Sequence, residues 1–163
     1  MKVVDFLHSN CVIPALRGTS KSEVLTELAQ HLAQVQPGID AVALGRALEE
    51  RELLASTAIG DGIAIPHGKL DTVDSLVGVL GRSVAGLDFD SIDGQPTHLV
   101  FMLVAPTAST GAHLKALARL SRLFRDAGFR QLLIEAPNGD AMFMTIEEED
   151  AKYLPAPRRC HRR

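Results

Sequence analysis

The most informative stretch of the sequence is Gly60-Asp61-Gly62-Ile63-Ala64-Ile65-Pro66-His67-Gly68-Lys69. Its apolar run, residues 63–65, predicts a strand, and we expect that strand to stop at residues 66–68. Proline donates no ladder hydrogen bond, and glycine permits backbone angles that are closed to other residues. His67 would then lie at a strand end beside a small neighbour that leaves its ring accessible. This position suits a reactive imidazole, although spacing alone slightly favours a histidine that merely ends a strand.

The composition is typical of an ordinary soluble globular protein. The 163 residues fit one domain, with 46% hydrophobic and 23% charged residues. A net charge of −3 gives no electrostatic footprint for nucleic acid. No apolar run approaches the roughly 20 residues of a membrane helix, and the N-terminus lacks the features of a signal peptide. We therefore expect no nucleic-acid partner and no membrane insertion.

Cysteine usage indicates the compartment. The chain has two cysteines, Cys11 and Cys160, which lie near its opposite ends. Two are too few for a disulfide framework or a cysteine-based zinc site. We therefore expect a reducing, cytoplasmic location.

The periodicity in the first two thirds of the chain predicts two helices followed by strands. Residues 20–23, Ser-Lys-Ser-Glu, match a capping box with Ser20 as N-cap and Glu23 at N3, and that helix should end at residues 37–38, Pro-Gly. Asp40 can cap a second helix that reaches about Leu53. Short apolar runs predict strands over residues 62–65, 76–80 and 99–104, and an N-terminal strand over residues 12–16, with Pro14 marking an edge or a bulge.

Further helices are predicted after these strands. A third helix should start at Thr110 or Gly111 and stop at Gly128, and its inner stripe would be Leu114, Leu117, Leu120, Ser121 and Phe124. More helical turns are expected over residues 129–135, and from Asn138 as N-cap through Ile146. The order of elements predicts a single-domain α/β sandwich, in which helices flank a mixed sheet. That domain should span residues 1–150, and residues 151–163 should form a disordered basic tail.

Two of the six histidines stand out as candidates for chemistry. Besides His67, His113 falls in the first turn of the predicted third helix, where unpaired N–H groups attract anions and the helix dipole lowers the pKa of an imidazole. Arg51, near the end of the second helix, is the candidate cation, because a guanidinium binds phosphate oxygens bidentately. A surface arginine paired with a neighbouring glutamate is the ordinary alternative. Surface, structural or tail positions account for the other histidines, which are His8, His31, His98 and His161.

Other chemistries lack their sequence signatures. The chain has no HxxxH or HExxH spacing, no GxSxG elbow, no P-loop and no dinucleotide fingerprint. We therefore expect no metal and no cofactor, and any phosphate chemistry would not come from a nucleotide site. A histidine-based metal-binding module or hydrolase that uses His67 and His113 stays open as an alternative of another class.

Several further motifs occur in an order that resembles a known family. They are Ser20-Lys21 with Val24-Leu25, then Arg51-Glu52 followed by residues 56–70, then residues 90–96, and finally Val104-Ala105-Pro106 followed by His113-Leu114 and Leu117-Ala118. From about Lys2 to Glu149 the chain resembles the enzyme IIA domains of the bacterial phosphoenolpyruvate-dependent phosphotransferase system, fructose/mannitol type. Within that type, the motif around Pro66-His67-Gly68 has the form of the nitrogen-regulatory branch. The resemblance implies a mixed sheet of about five strands between helices.

The resemblance implies roles for the three candidate residues. His67 would accept a phosphoryl group, His113 would hydrogen-bond it, and Arg51 would line the same pocket. The protein would be a phosphotransferase component with a phosphohistidine intermediate, not a stand-alone turnover enzyme. We also expect the flanking residues Ile63 and Ile65 to provide a flat docking surface around the site.

The resemblance also implies partners. The donor would be phospho-HPr or its nitrogen-branch paralogue, and members of the nitrogen branch contact regulators such as those of potassium transport or sensor kinases. The alternative is a sugar-specific IIA component, of fructose or mannitol type, that passes its phosphoryl group to a IIB partner.

Overall fold

A mixed sheet with helices packed against it forms the fold. The computed structural model of the chain describes residues 1–152. The elements in chain order are β1 (Val12–Ile13), α1 (Lys21–Val35), α2 (Ala41–Leu54), β2 (Ala58–Gly60), β3 (Ile63–Ala64), β4 (His67–Leu70), β5 (Val77–Leu87), β6 (Thr97–Pro106), α3 (Thr110–Leu123), α4 (Ala127–Glu135) and α5 (Gly139–Lys152). Two short 3₁₀ helices, Val3–Asp5 and Ser9–Cys11, precede β1.

Within the described residues, the sheet contains six strands in the order β1-β5-β6-β3-β2, with β4 also paired to β6. Strands β5 and β6 are antiparallel, with Val79 opposite Met102, whereas β1 is parallel to β5 and both β3 and β4 are parallel to β6. Because β3 and β4 follow each other on the same side of β6, the sheet is five strands wide. Helix α1 packs against β5, α2 against β4, and α5 against β1. The predicted α/β sandwich with a mixed sheet is confirmed.

The first two helices begin at the predicted caps. The hydroxyl of Ser20 accepts a hydrogen bond from the backbone N–H of Glu23 at 3.2 Å, and Asp40 accepts one from that of Val42 at 2.9 Å. The reciprocal half of the capping box is shifted by one residue, since the Glu23 carboxylate binds the backbone N–H and the hydroxyl of Thr19. Each cap satisfies N–H groups that have no partner inside the helix.

The predicted inner stripe of α3 was partly wrong. The buried side chains of α3 include His113, Ala116, Leu120 and Leu123, whereas Leu114 is 62% exposed. Leucines occupy both faces of this helix, so a stripe based on leucine alone is misplaced.

The predicted end of α3 was also wrong. The helix ends before Gly128, which lies inside α4. Asp126 is the N-cap of α4 and accepts a hydrogen bond from the N–H of Phe129 at 3.0 Å. A single glycine is tolerated in a helix at modest cost, so Gly128 does not mark the end of α3.

The last helix starts as predicted, with Asn138 accepting a hydrogen bond from the N–H of Ala141 at 2.9 Å. It extends past Ile146 to Lys152.

The strands differ from their predicted lengths. Strands β5 and β6 extend beyond the apolar runs at 76–80 and 99–104, β1 is only two residues long, and β2 was not predicted. Strand β5 continues through polar residues such as Arg82 and Ser83 because β6 pairs with it and tertiary contacts bury both side chains. Hydrophobic runs therefore located β1, β3, β5 and β6, missed β2 and β4, and underestimated the lengths of the two central strands, β5 and β6.

A tight turn connects β2 and β3. Gly60, Asp61 and Gly62 have φ angles of 89°, 56° and 79°, a region that disfavours most side chains and explains the two glycines. The carboxylate of Asp93 accepts a hydrogen bond from the N–H of Asp61 at 3.0 Å, which ties the turn to the loop before β6. The turn aligns β3 along β6 immediately before His67.

The described residues contain no helix that is both long enough and apolar enough to cross a membrane. Of the predicted tail, Ala151 and Lys152 complete α5, and the rest lies outside the described residues.

Candidate functional site

His67 is the first residue of β4, not the last residue of a strand as predicted. Pro66 separates β3 from β4, and its carbonyl accepts a hydrogen bond from the N–H of Leu103 in β6 at 2.9 Å. The chain therefore continues alongside β6 and pairs with it again from His67, which lies opposite Leu103. The predicted strand end is wrong, because Pro66, which donates no ladder hydrogen bond, interrupts the pairing with β6 without ending it.

The hydrogen bonds of the His67 ring define its tautomer. Nδ1 lies 2.8 Å from the carbonyl oxygen of Ile65, which can only accept, so Nδ1 carries the proton. Nε2 accepts a hydrogen bond from Nε of Arg51 at 3.2 Å, and a guanidinium can only donate. In the neutral ring Nε2 is therefore the nitrogen with the available lone pair.

His113 lies beside His67, on the first turn of α3. The two ring centroids are 5.1 Å apart and the rings are perpendicular. The side chain of His113 is only 7% exposed, and among the described residues its Nδ1 has no hydrogen-bond partner. A buried ring nitrogen without a partner is uncommon in folded proteins and is a candidate for a functional role.

Arg51 lies in the last turn of α2 and reaches His67 from there. Besides its bond to Nε2, the side chain donates from one terminal nitrogen to the carbonyl oxygen of Ala55 at 2.8 Å. In residues 1–152 it forms no ion pair with a carboxylate within 4.0 Å. The contacts of Arg51 are thus with the ring and with the end of its own helix, not with a neighbouring glutamate.

These three side chains border one shallow cleft of about 470 Å³. Its lining residues are Ala47, Glu50, Arg51, Leu54, His67, Gly68, Lys69 and His113. Lys69 was not singled out from the sequence, although its position two residues after His67 puts both side chains on the same face of β4. The cleft thus combines two imidazoles, two cationic side chains and the carboxylate of Glu50.

Burial is the main influence on the acid–base behaviour of both histidines. Burial lowers the pKa of His67 from its ordinary value, and the positive charge of Arg51 lowers it further. The hydrogen bond to Ile65 and the negative charge of Glu52 act in the opposite direction and raise this pKa. Burial also lowers the pKa of His113, and the neighbouring charges of His67 and Lys69 lower it further. Both rings are therefore held in the neutral form at pH 7.

We expect the titrations of the two histidines to be coupled. His67→Ala removes one neighbouring charge, so the midpoint of His113 in an NMR pH titration should rise toward its ordinary value of 6.5. His31→Ala is the matched control, because Nε2 of His31 contacts the carbonyl of Asn10 and the residue does not line the cleft. An unchanged or lower midpoint for His113 in His67→Ala would contradict the coupling.

The lowered pKa values also set a pH dependence of stability. Between the native pKa values and 6.5, the unfolded chain binds more protons at these two histidines than the folded chain does. Their contribution to the free energy of unfolding is therefore present above pH 6.5 and is lost as the pH falls through the native values.

The predicted docking surface at Ile63 and Ile65 was wrong. Both residues belong to the core, at 2% and 3% exposure, because β3 and the segment that connects it to β4 are buried. Exposed apolar side chains near the histidines come from the helices instead, with Leu54 82% and Leu114 62% exposed.

The other described histidines lie apart from the cleft. His8 is exposed, His31 binds the carbonyl of Asn10, and Nδ1 of His98 lies 3.1 Å from the carbonyl oxygen of Ser83. His161 lies outside the described residues. Within residues 1–152, no three His, Cys, Asp or Glu side chains are grouped so that they could hold a metal ion.

The fold agrees with comparisons to known proteins. Residues 5–149 match the model of the family described as "Phosphoenolpyruvate-dependent sugar phosphotransferase system, EIIA 2". The match spans most of the chain, so this protein belongs to that family of phosphotransferase components.

Individual relatives come from two branches of the family. The chain is 39% identical over 146 residues to a nitrogen regulatory protein of Bradyrhizobium diazoefficiens, covering 90% of this chain and 95% of the relative. It is 37% identical over 150 residues to the fructose-specific EIIABC component of Bacillus subtilis, covering 92% of this chain and 24% of that longer protein. Among solved structures, the nitrogen regulatory protein IIA-Ntr of Neisseria meningitidis superposes with a TM-score of 0.82 at 27% identity, covering 88% of this chain and 98% of that chain.

Proposed function

We propose that this protein carries a phosphoryl group on Nε2 of His67, received from a phosphohistidine carrier of the HPr type. The observation that carries the proposal is the hydrogen bonding of the ring. Ile65 holds the proton on Nδ1, which leaves the Nε2 lone pair directed toward Arg51 at the cleft. A neutral imidazole nitrogen is a competent nucleophile toward a phosphoryl group held on another histidine.

Transfer at this site requires mainly alignment and charge neutralisation. The N–P bond of the donor breaks as the Nε2–P bond forms, through a loose transition state whose charge lies on the equatorial oxygens. Arg51 donates to Nε2 in the resting protein, so its guanidinium has to release this lone pair before attack. It can then donate to the phosphoryl oxygens from almost the same position.

His113 is the second proposed phosphoryl ligand. Its ring lies against that of His67 and contains a buried nitrogen without a partner among the described residues. A hydrogen bond from His113 to the transferring group would stabilise charge that develops on its oxygens, as preorganised donors do. No metal is needed for this arrangement.

We place the protein in the nitrogen-regulatory branch. The Bradyrhizobium relative and the Neisseria structure both carry nitrogen-regulatory names, and the first is matched over nearly its whole length. Regulators of potassium transport and sensor kinases are the partner classes proposed for that branch. A cytoplasmic location is part of the proposal, since the donor would take its phosphoryl group from phosphoenolpyruvate.

A sugar-specific role is the second candidate function. The Bacillus subtilis relative is named a fructose-specific component, and its identity to this chain is almost as high. The phosphorylated protein can be mixed with a purified fructose-type IIB protein to decide between the two. Rapid loss of the label to IIB favours the sugar-specific role, and retention of the label favours the regulatory one.

The test of phosphoryl acceptance is labelling from phosphoenolpyruvate. Incubation with enzyme I, an HPr-type carrier and ³²P-phosphoenolpyruvate should label the protein with one acid-labile phosphoryl group per chain. The control omits only the carrier and should leave the protein unlabelled. Labelling of the same extent without the carrier, or no labelling by HPr and its nitrogen-branch paralogue, would contradict the proposal.

A further inference from the structure

Glu52 is a buried carboxylate that has no role in the phosphoryl transfer proposed above. It follows Arg51 in the last turn of α2, and its side chain is only 6% exposed. One oxygen lies 2.6 Å from Nζ of Lys21, and the carboxylate also accepts hydrogen bonds from the hydroxyl and the backbone N–H of Thr57. Burying a carboxylate costs free energy unless its oxygens are paired. The donors from Lys21 and Thr57 supply that pairing for Glu52.

The contacts of Glu52 continue through two residues to the ring of His67. The carbonyl of Thr57 accepts a hydrogen bond from the N–H of Ile65 at 3.0 Å. The carbonyl of Ile65 in turn accepts the Nδ1 proton of His67 at 2.8 Å. The backbone N–H of Thr57 is therefore hydrogen-bonded to Glu52, and the backbone carbonyl of Thr57 is hydrogen-bonded to Ile65.

Thr57, which Glu52 contacts, immediately precedes strand β2. Strand β2 has three residues and, in the part of the chain that the structure describes, lies at the sheet edge with β3 as its one partner. A short edge strand has few ladder hydrogen bonds to keep it in register. Glu52 connects Thr57, the residue before β2, to α2 and, through Lys21, to the start of α1.

We propose that Glu52 is a positioning residue that keeps the Ile65 carbonyl on Nδ1 of His67 and so keeps Nε2 as the acceptor nitrogen. This inference rests on the proposed function of His67. Once Nε2 is phosphorylated and Nδ1 keeps its proton, the ring is formally cationic. The Ile65 carbonyl and the nearby negative charge of Glu52 both stabilise that charge.

Electrostatics agree with this role. Burial is the main cause of the lowered pKa of His67, and the charge of Glu52 is among the influences that oppose it. Removal of that charge should lower the midpoint of His67 further. A carboxylate that only joined helices α1 and α2 would leave the tautomer of the ring unchanged.

Glu52→Gln tests the proposal because it keeps the shape and one acceptor oxygen but removes the charge and the ion pair with Lys21. ¹⁵N NMR of the unphosphorylated protein should show a smaller fraction of the Nδ1–H tautomer of His67 and a lower titration midpoint. The rate of labelling by the phosphorylated carrier should fall about tenfold, the cost of one hydrogen bond to a charged group. The free energy of unfolding is measured on the same samples.

Glu49→Gln is the matched control. Glu49 lies one turn earlier on α2, is exposed, and contacts the hydroxyl of Ser22 on α1 at 3.2 Å. The same substitution there should leave the tautomer, the midpoint and the labelling rate at wild-type values. Thr57→Val is a second test variant, since it removes only the hydroxyl contact with Glu52, and should shift the tautomer in the same direction by less.

The proposal is overturned if Glu52→Gln and Thr57→Val alter stability alone and leave the tautomer and the rate as in wild type. This failure is distinct from a failure of the proposed function. The tautomer is measured without phosphorylation, whereas a wrong acceptor assignment would be seen as label retained in His67→Ala.

Discussion

His67→Ala is expected to lose at least about a thousandfold in labelling rate and to stay at background, because no other group replaces the acceptor nitrogen. Labelling from phosphoenolpyruvate through enzyme I and the HPr-type carrier measures this loss. The substitution removes a partly buried ring with two hydrogen bonds, so the circular dichroism spectrum of each sample must show a folded protein. Wild-type labelling in a folded His67→Ala protein would refute the assignment.

His113→Ala provides the matched comparison for that experiment. His113 is buried against the ring of His67, and in our account it stabilises the phosphoryl group without accepting it. The variant should still be labelled on His67, but about 100-fold more slowly, as when one preorganised hydrogen-bond donor is lost. Complete loss of label in both variants, with both folded, would leave the two roles unseparated and would contradict the assignment of His113.

Arg82→Met should cost about 3–5 kcal/mol of the free energy of unfolding. Arg82 is a buried residue of β5 whose guanidinium has carbonyl oxygens as partners. Nε donates to Pro14 at 2.9 Å, and one terminal nitrogen donates to the carbonyls of Leu133, Ile134 and Ala136 at 2.9, 3.2 and 2.7 Å. These last carbonyls lie at the C-terminal end of α4, where the negative end of the helix dipole favours a cation.

Methionine fills a similar volume but donates nothing, so it leaves these buried carbonyls unpaired. Urea unfolding followed by circular dichroism gives the change in free energy. Arg46→Met is the control, because Arg46 is exposed on α2, and it should change stability by no more than about 0.5 kcal/mol. A loss of less than about 1 kcal/mol in Arg82→Met would show that these hydrogen bonds do not stabilise the fold as argued.

Much of the fold could be predicted from local sequence patterns. Ser20, Asp40 and Asn138 cap helices as expected, since a cap depends on residues only two or three positions away. Strand lengths were predicted less well. Polar residues such as Arg82 continue β5 because distant carbonyls pair with them, and such long-range contacts leave no periodic signal in the sequence.

The candidate site could be predicted in its residues but not in its geometry. His67 and His113 are 46 positions apart in the chain, and only the folded chain makes their rings adjacent. The tautomer of His67 depends on a backbone carbonyl, which every residue has, so no residue type predicts it. Glu52 was visible in the sequence only as the neighbour of Arg51, and its buried partners define its role.

The most direct test of the central claim is to identify the nitrogen that carries the phosphoryl group. Protein labelled with ¹⁵N is phosphorylated through the carrier, and the imidazole nitrogens are assigned by NMR under alkaline quench, where phosphohistidine persists. We predict phosphorus on Nε2 of His67, with the Nδ1 proton still bonded to Ile65 in spectra taken at neutral pH. Phosphorus on Nδ1 of His67, or on His113, would contradict the account.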